Sequence, residues 1–163
     1  MASSYFFFFR LLFLVIAFSF VLSACSDKKY NEDKVRQFVA AAVAASESRE
    51  ALTIRKLISE KYKDESRRDR RRLVGLAVGY FLRHKNIHLF TKISEIKFPV
   101  PDQASVKLYA AMAGSPVTNA QALFDIRADL YQFDLMLTKK GDEWLLRKAG
   151  WQRVNIEDIV VGE

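Results

Sequence analysis

Few side chains in this sequence can do chemistry, and they are scattered. There is one cysteine, Cys25, and there are two histidines, His84 and His88. A lone thiol can act as a nucleophile, a metal ligand or an acceptor of a covalent group, and its setting decides which. A general base or oxyanion donor has to lie on an inward, apolar stripe, where burial tunes its pKa. Tyr131 and Asp134 come nearest to that condition and are the pocket candidates. The run Arg67-Arg68-Asp69-Arg70-Arg71-Arg72 is the sharpest charge feature. Guanidinium forks match phosphate and carboxylate oxygens, so Arg67, Arg68, Arg71 and Arg72 are candidates to contact an anion. The plainer reading is a solvated face with pairs to Asp64, Glu65 and Asp69. Cys and His residues do not cluster at zinc spacing, and there is no phosphate-cradling glycine loop and no repeat, so no metal and no cofactor is expected.

What precedes Cys25 gives it a role. Arg10 is followed by an apolar run from Leu11 to Leu22 and then by Ser23-Ala24-Cys25. An apolar stretch closed by small residues is the layout of a secretory signal peptide. Leu22-Ser23-Ala24-Cys25 also resembles a bacterial lipobox. That resemblance implies cleavage before Cys25, a thioether to diacylglycerol on its sulfur and acylation of the new amino terminus. Ser26 after the cysteine resembles the signal for release to the outer membrane. The competing reading is an uncleaved anchor, since Tyr5 to Leu22 is apolar but for Arg10 and Ser19 and could nearly span a bilayer. Lys28 and Lys29 would then lie on the far side, against the positive-inside tendency.

Seven of the thirteen phenylalanines lie in residues 1–24, so the leader inflates the hydrophobic fraction of the chain. Of the 26 Lys and Arg residues only Arg10 lies there, and none of the 19 Asp and Glu does, so the positive surplus stays with the remainder. That surplus favours an anionic lipid or envelope partner. Nucleic acid is not expected: the basic run has no interleaved aromatics on which bases would stack. With Cys25 acylated no thiol is left for a disulfide. The expected organisation is a leader over 1–24, a lipidated tether over 25–30, one domain over 31–155 and a tail over 156–163.

Within the domain, hydrophobic period predicts three helices and then four strands. Asn31, followed by Glu32 and Asp33, reads as an N-cap, and Val35, Phe38, Val39, Ala42 and Val43 mark one helical face over Asn31–Ser46. Helices over Arg49–Lys61 and Arg67–Lys85 follow, with Ser46 or Ser48 recapping the chain between the first two. Leu73, Val74, Ala77, Val78, Phe81 and Leu82 give the third helix its apolar face. The period then becomes two: Ile87, Leu89, Thr91, Ile93; Val106, Leu108, Ala110, Met112; Tyr131, Phe133, Leu135, Leu137; and Trp144 with Leu146. Residues 118–127 fit either a short helix or a loop. Lys140-Gly141-Asp142 reads as a hairpin turn, and Gly150 as a bulge that returns Trp151 to the face of Trp144.

This order predicts an α+β domain with three N-terminal helices on a bent four-stranded antiparallel sheet. It resembles the nuclear transport factor 2-like proteins, and within them bacterial lipoproteins of that fold. The resemblance covers about Asn31 to Val154. It is carried by the element order, by Ser59-Glu60-Lys61-Tyr62-Lys63-Asp64 before the third helix, and by Gly141-Asp142-Glu143-Trp144-Leu145-Leu146 with Trp151-Gln152-Arg153. It implies a cone, a bent sheet wrapped around helices and often enclosing a pocket. That fold hosts isomerases, dehydratases and cyclases as well as non-catalytic modules, so it leaves function open.

Strand phase sets the functional expectation. If Phe133 and Leu135 face the helices, Asp134 faces away. An outward carboxylate stays solvated, without the burial that tunes a base. Tyr131 points inward, but a lone phenol is a weak base at neutral pH. Phe81, Leu108, Phe133, Leu135 and Trp144 should be buried. The expected protein is therefore a non-enzymatic binding or interaction module, lipid-anchored in the bacterial envelope, facing the periplasm and favouring the outer membrane. The alternative is a small-molecule enzyme of isomerase or cyclase type with its pocket inside the cone.

Overall fold

The structure is a computed structural model that describes residues 29–114 and 129–155. The expected leader, Cys25, residues 118–127 and the tail over 156–163 lie outside the described residues. The chain divides into two compact units, Met1–Val35 and Arg36–Glu163. In the first, residues 29–35 are helical, and the Lys34 ammonium lies 5.4 Å from the centre of the Tyr30 ring. Helix α1 is continuous over 29–47, so Asn31 sits inside it and does not cap it. A cap is worth about 1 kcal/mol, too little to fix a helix end alone.

The second unit holds the rest of α1, helix α2 (Ala51–Leu57), helix α3 (Arg70–Arg83) and strands β1 (His88–Val100), β2 (Gln103–Ala113), β3 (Asp129–Lys140) and β4 (Glu143–Arg153). All neighbouring strands are antiparallel, in the order β1-β2-β3-β4. Helix α1 closes in a Schellman motif: Glu50 N–H donates to Ala45 C=O (2.8 Å) and Arg49 N–H to Ser46 C=O (3.1 Å). The left-handed position, usually glycine, is Arg49 (φ 56°). Ser46 recaps nothing; it stays in α1 and donates its hydroxyl to Ala42 C=O.

Helix α2 is shorter than Arg49–Lys61 because Ile58 turns extended and bridges to Leu146 of β4. A strand-like tertiary contact there overrides a good local helix pattern. Helix α3 begins at Arg70 and not at Arg67. The Asp69 carboxylate accepts the Arg72 N–H at 2.8 Å, and Arg67 already has φ 57°. The arginine run is thus split by its own aspartate, which caps the helix.

Three register shifts interrupt the strands. Two are in β1, at Ser94 and between Lys97 and Val100; the third is at Arg147 in β4, between the pairs Met136↔Lys148 and Leu137↔Leu146. The extra residue in β4 is therefore Arg147 and not Gly150, which pairs regularly with Asp134. The consequence expected for Gly150 is the same: Trp144, Leu146, Ala149 and Trp151 share the helix-facing side. The bulge has a second use. Ser59 N–H donates to Leu146 C=O (3.0 Å) and Lys63 N–H to Arg147 C=O (3.3 Å), which ties the α2–α3 connection to β4. The β3–β4 turn is Gly141-Asp142 with Gly141 at φ 61°, the first-position glycine of a two-residue hairpin.

Ile58, Tyr62 and Ala149 form one buried cluster, joined by half-buried Ile54, Leu73, Leu135 and Trp151. At the hairpin end of the inner sheet face Ala104, Val106, Leu137 and Trp144 are buried, with Phe98 against Trp144. Toward the other end Leu89, Met112, Tyr131, Phe133 and Leu135 are only half-buried. The same strand phase is packed at one end and open at the other. Of the side chains expected in the core, Leu108 and Trp144 are buried, while Phe81, Phe133 and Leu135 are half-buried. They line a space instead of filling one.

Candidate functional site

That space is a cavity of about 390 Å³ between the helices and the inner face of the sheet. Its size lies in the range of small-molecule sites. Phe38 and Ala42 of α1, Ile54 and Leu57 of α2, and Leu73, Ala77 and Phe81 of α3 make the helical wall. Leu108, Ala110 and Met112 of β2, Tyr131, Phe133 and Leu135 of β3, and Trp151 of β4 make the sheet wall. These are the period-two stripes, and their alternation puts one apolar face against the helices. Among the described residues the polar side chains of the wall are Ser46, Thr91, Tyr80 and Tyr131, with their hydroxyls, and Trp151, with its indole N–H.

One end of the cavity carries a polar cluster. The Tyr131 hydroxyl accepts a hydrogen bond from Arg153 Nε (3.3 Å), and Arg153 Nη2 donates to Asp129 Oδ1 (2.7 Å). Tyr80, another wall residue, stacks on His84 with ring centres 4.1 Å apart. Burial raises the Tyr80 phenol above its ordinary pKa, the Asp129 charge and Tyr131 adding to this and Arg83 opposing it. Tyr80 is therefore a protonated hydroxyl at neutral pH. Strand phase singled out Tyr131 alone; Tyr80 was missed as chemistry, although it lies on the α3 stripe with Leu73 and Ala77. Arg153 and Asp129 became partners only through β3–β4 register.

The other candidates are placed as follows. Asp134 is exposed on the opposite sheet face and accepts a hydrogen bond from Gln132 Nε2 (3.1 Å). Arg67, Arg71 and Arg72 are exposed. Arg68 is half-buried and bonded within the fold. Its Nε donates to Asp64 Oδ2 (2.7 Å), its backbone N–H to Asp64 Oδ1 (2.9 Å), and its guanidinium lies 4.5 Å from the Trp151 ring centre. The Asp64 side chain is 1% exposed and also accepts the Tyr62 hydroxyl (3.2 Å). Burial pushes the Asp64 carboxyl up, but the Arg68 N–H, the Arg68 guanidinium and Tyr62 outweigh it and hold it below the usual range. Burial and then the Asp64 charge push the Tyr62 phenol up. Of the other acids near the run, Glu65 pairs with Lys148 (3.0 Å) and Asp69 caps α3. Among the described residues no three His, Cys, Asp or Glu side chains come together to hold a metal, and no helix is long and apolar enough to cross a membrane.

No family model and no curated protein matches the chain in sequence. Solved structures do match in shape. A candidate scytalone dehydratase from Novosphingobium aromaticivorans is similar with a TM-score of 0.67 at 10% identity, over 80% of this chain and 89% of that one. A candidate dehydratase of the NTF2-like family from Streptomyces avermitilis gives 0.59 at 14% identity, over 76% and 96%. Bd1075 of Bdellovibrio bacteriovorus gives 0.61 at 14% identity over 76% of this chain, which spans only 40% of that protein. At these identities the likeness concerns the fold alone: this is an α+β protein whose three helices pack on a four-stranded antiparallel sheet, in the nuclear transport factor 2-like cone.

Proposed function

We propose that the chain is a bacterial envelope lipoprotein, anchored through lipid on Cys25, whose domain is a non-enzymatic module binding an apolar molecule inside the cone. The observation that carries the binding reading is the cavity itself: about 390 Å³, walled by Leu, Ile, Phe, Ala and Met side chains. Each methylene moved from water into such a wall contributes about 0.8 kcal/mol. Among the described residues no carboxylate or imidazole lines the wall, and those able to pass a proton there are phenols and aliphatic alcohols. The anchor rests on Leu22-Ser23-Ala24-Cys25 and the apolar run before it.

An apolar fluorophore should bind the protein, and Ala77→Trp, which puts an indole into the cavity, should abolish the signal without unfolding the domain. Binding unchanged by that variant would place the apolar site elsewhere. Intact mass of the membrane-extracted protein should begin at Cys25 and include the lipid. An unmodified cysteine, or residues 1–24 still attached, would refute the anchor. The enzyme alternative would be favoured if the same cavity variant abolished a proton-transfer activity.

A further inference from the structure

We propose that the cavity takes an amphiphile with an acidic head, a long-chain carboxylate, whose chain lies along the apolar wall and whose head meets Tyr131, Tyr80 and Arg153. This rests on the reading of the cavity as a binding site and adds the chemistry of the ligand. The wall is apolar along β2 and along β3 from Phe133 onward, and two of its hydroxyls, on Tyr131 and Tyr80, lie close enough to act on each other electrostatically. A ligand apolar throughout would leave that end without a partner.

The polarity of the cluster selects the head. The Tyr131 oxygen accepts from Arg153, so its own O–H remains to donate elsewhere. Tyr80, held protonated, offers a second O–H. Arg153 carries five N–H donors, of which Asp129 and Tyr131 engage two, leaving others to turn to a ligand oxygen. Arg83 acts on the same Tyr80 phenol electrostatically. Among the described residues, Arg153 bonds the Tyr131 oxygen and Arg83 acts on the Tyr80 phenol, so each phenol has a guanidinium near it. Two phenol donors and the spare N–H groups of Arg153 at the end of an apolar chamber match an anionic acceptor on an apolar stem. Hydrogen bonds to an ionised group are the stronger kind.

The test uses the full chain, purified from membranes into phosphatidylcholine nanodiscs, with two photoreactive probes: a diazirine-bearing dodecanoic acid and the matching dodecanol. Labelling is mapped by mass spectrometry to the peptides that contain Leu108 and Phe133. The acid should label them more strongly than the alcohol. In Tyr131→Phe, acid labelling should fall about tenfold, as for loss of one hydrogen bond to a charged group. Arg153→Gln, at an exposed position, should lower acid labelling as well, and both variants should lower acid labelling by a larger factor than alcohol labelling. Equal labelling by acid and alcohol, with neither variant selective, would overturn the acidic-head inference and leave the apolar site standing. Failure of both probes to label the cavity peptides would overturn the binding reading itself.

Discussion

Replacing Asp64 by asparagine should cost the domain about 3 kcal/mol, and the structure sets that size. The carboxylate is almost wholly buried and holds three hydrogen bonds, from the Arg68 N–H, the Arg68 guanidinium and the Tyr62 hydroxyl. Breaking a buried ion pair from one side costs about 3–5 kcal/mol. The Arg68 side chain is 29% exposed and can return to water, which puts the expectation at the low end. Arg68→Gln should cost somewhat less, since Asp64 keeps two of its three donors. Arg71→Gln and Arg72→Gln should stay within about ±0.5 kcal/mol, the ordinary surface range. Urea unfolding followed by tryptophan fluorescence measures all four, and Trp151 beside Arg68 reports the site directly. The pH dependence has a definite sign. Asp64 is held below its ordinary pKa, so its contribution is fully present above the unfolded-state carboxyl value of about 3.9 and is lost as pH falls through the lower folded value. The gap between wild type and Asp64→Asn should therefore be constant from neutral pH down to about 4 and shrink below it. An Asp64→Asn protein as stable as wild type at neutral pH, or a gap that widens in acid, would refute the reasoning.

Two further outcomes follow from backbone and charge. Arg49 occupies the left-handed position of the α1 Schellman motif, so Arg49→Gly should raise unfolding stability by up to about 1 kcal/mol, glycine's greater unfolded-state freedom taking back part of the relief. If exposed Arg67, Arg71 and Arg72 touch an anionic membrane surface, neutralising all three should weaken binding to vesicles containing anionic lipid at low salt. The difference should vanish at high salt, where screening shortens to about 3 Å; equal binding at low salt would leave these arginines as a solvated face.

The element order and strand phases could be read from the chain alone because side-chain period is a local property. Period-two runs in β2 and β3 name the residues that line the cavity, and they send Asp134 to the far face. The Gly141-Asp142 turn and most of the α3 stripe were legible for the same reason, but Leu82, expected on that stripe, is exposed. Element ends were not. Helix α2 stops at Ile58 because Leu146, almost ninety residues on, offers a bridge, and no local signal records that. The β4 bulge fell at Arg147 and not at the glycine, because the Ser59 and Lys63 amides bond the Leu146 and Arg147 carbonyls at that point.

Fold class, the inward apolar stripes and the basic surplus of the chain are properties of composition and period, which exist before any long-range contact forms. Tertiary structure alone decided that the stripes enclose a space at one end and pack solidly at the other. Period tells which way Phe133 points, not how far away the facing helix stands. It also sorted the arginines. The five arginines of one charged run look alike in sequence, yet the buried Asp64 takes Arg68 into the structure and Asp69, inside the run, caps the helix, while Arg67, Arg71 and Arg72 remain exposed. The reason is desolvation: a carboxylate withdrawn from water must take the nearest cation with it, and only the folded chain determines which carboxylate is withdrawn.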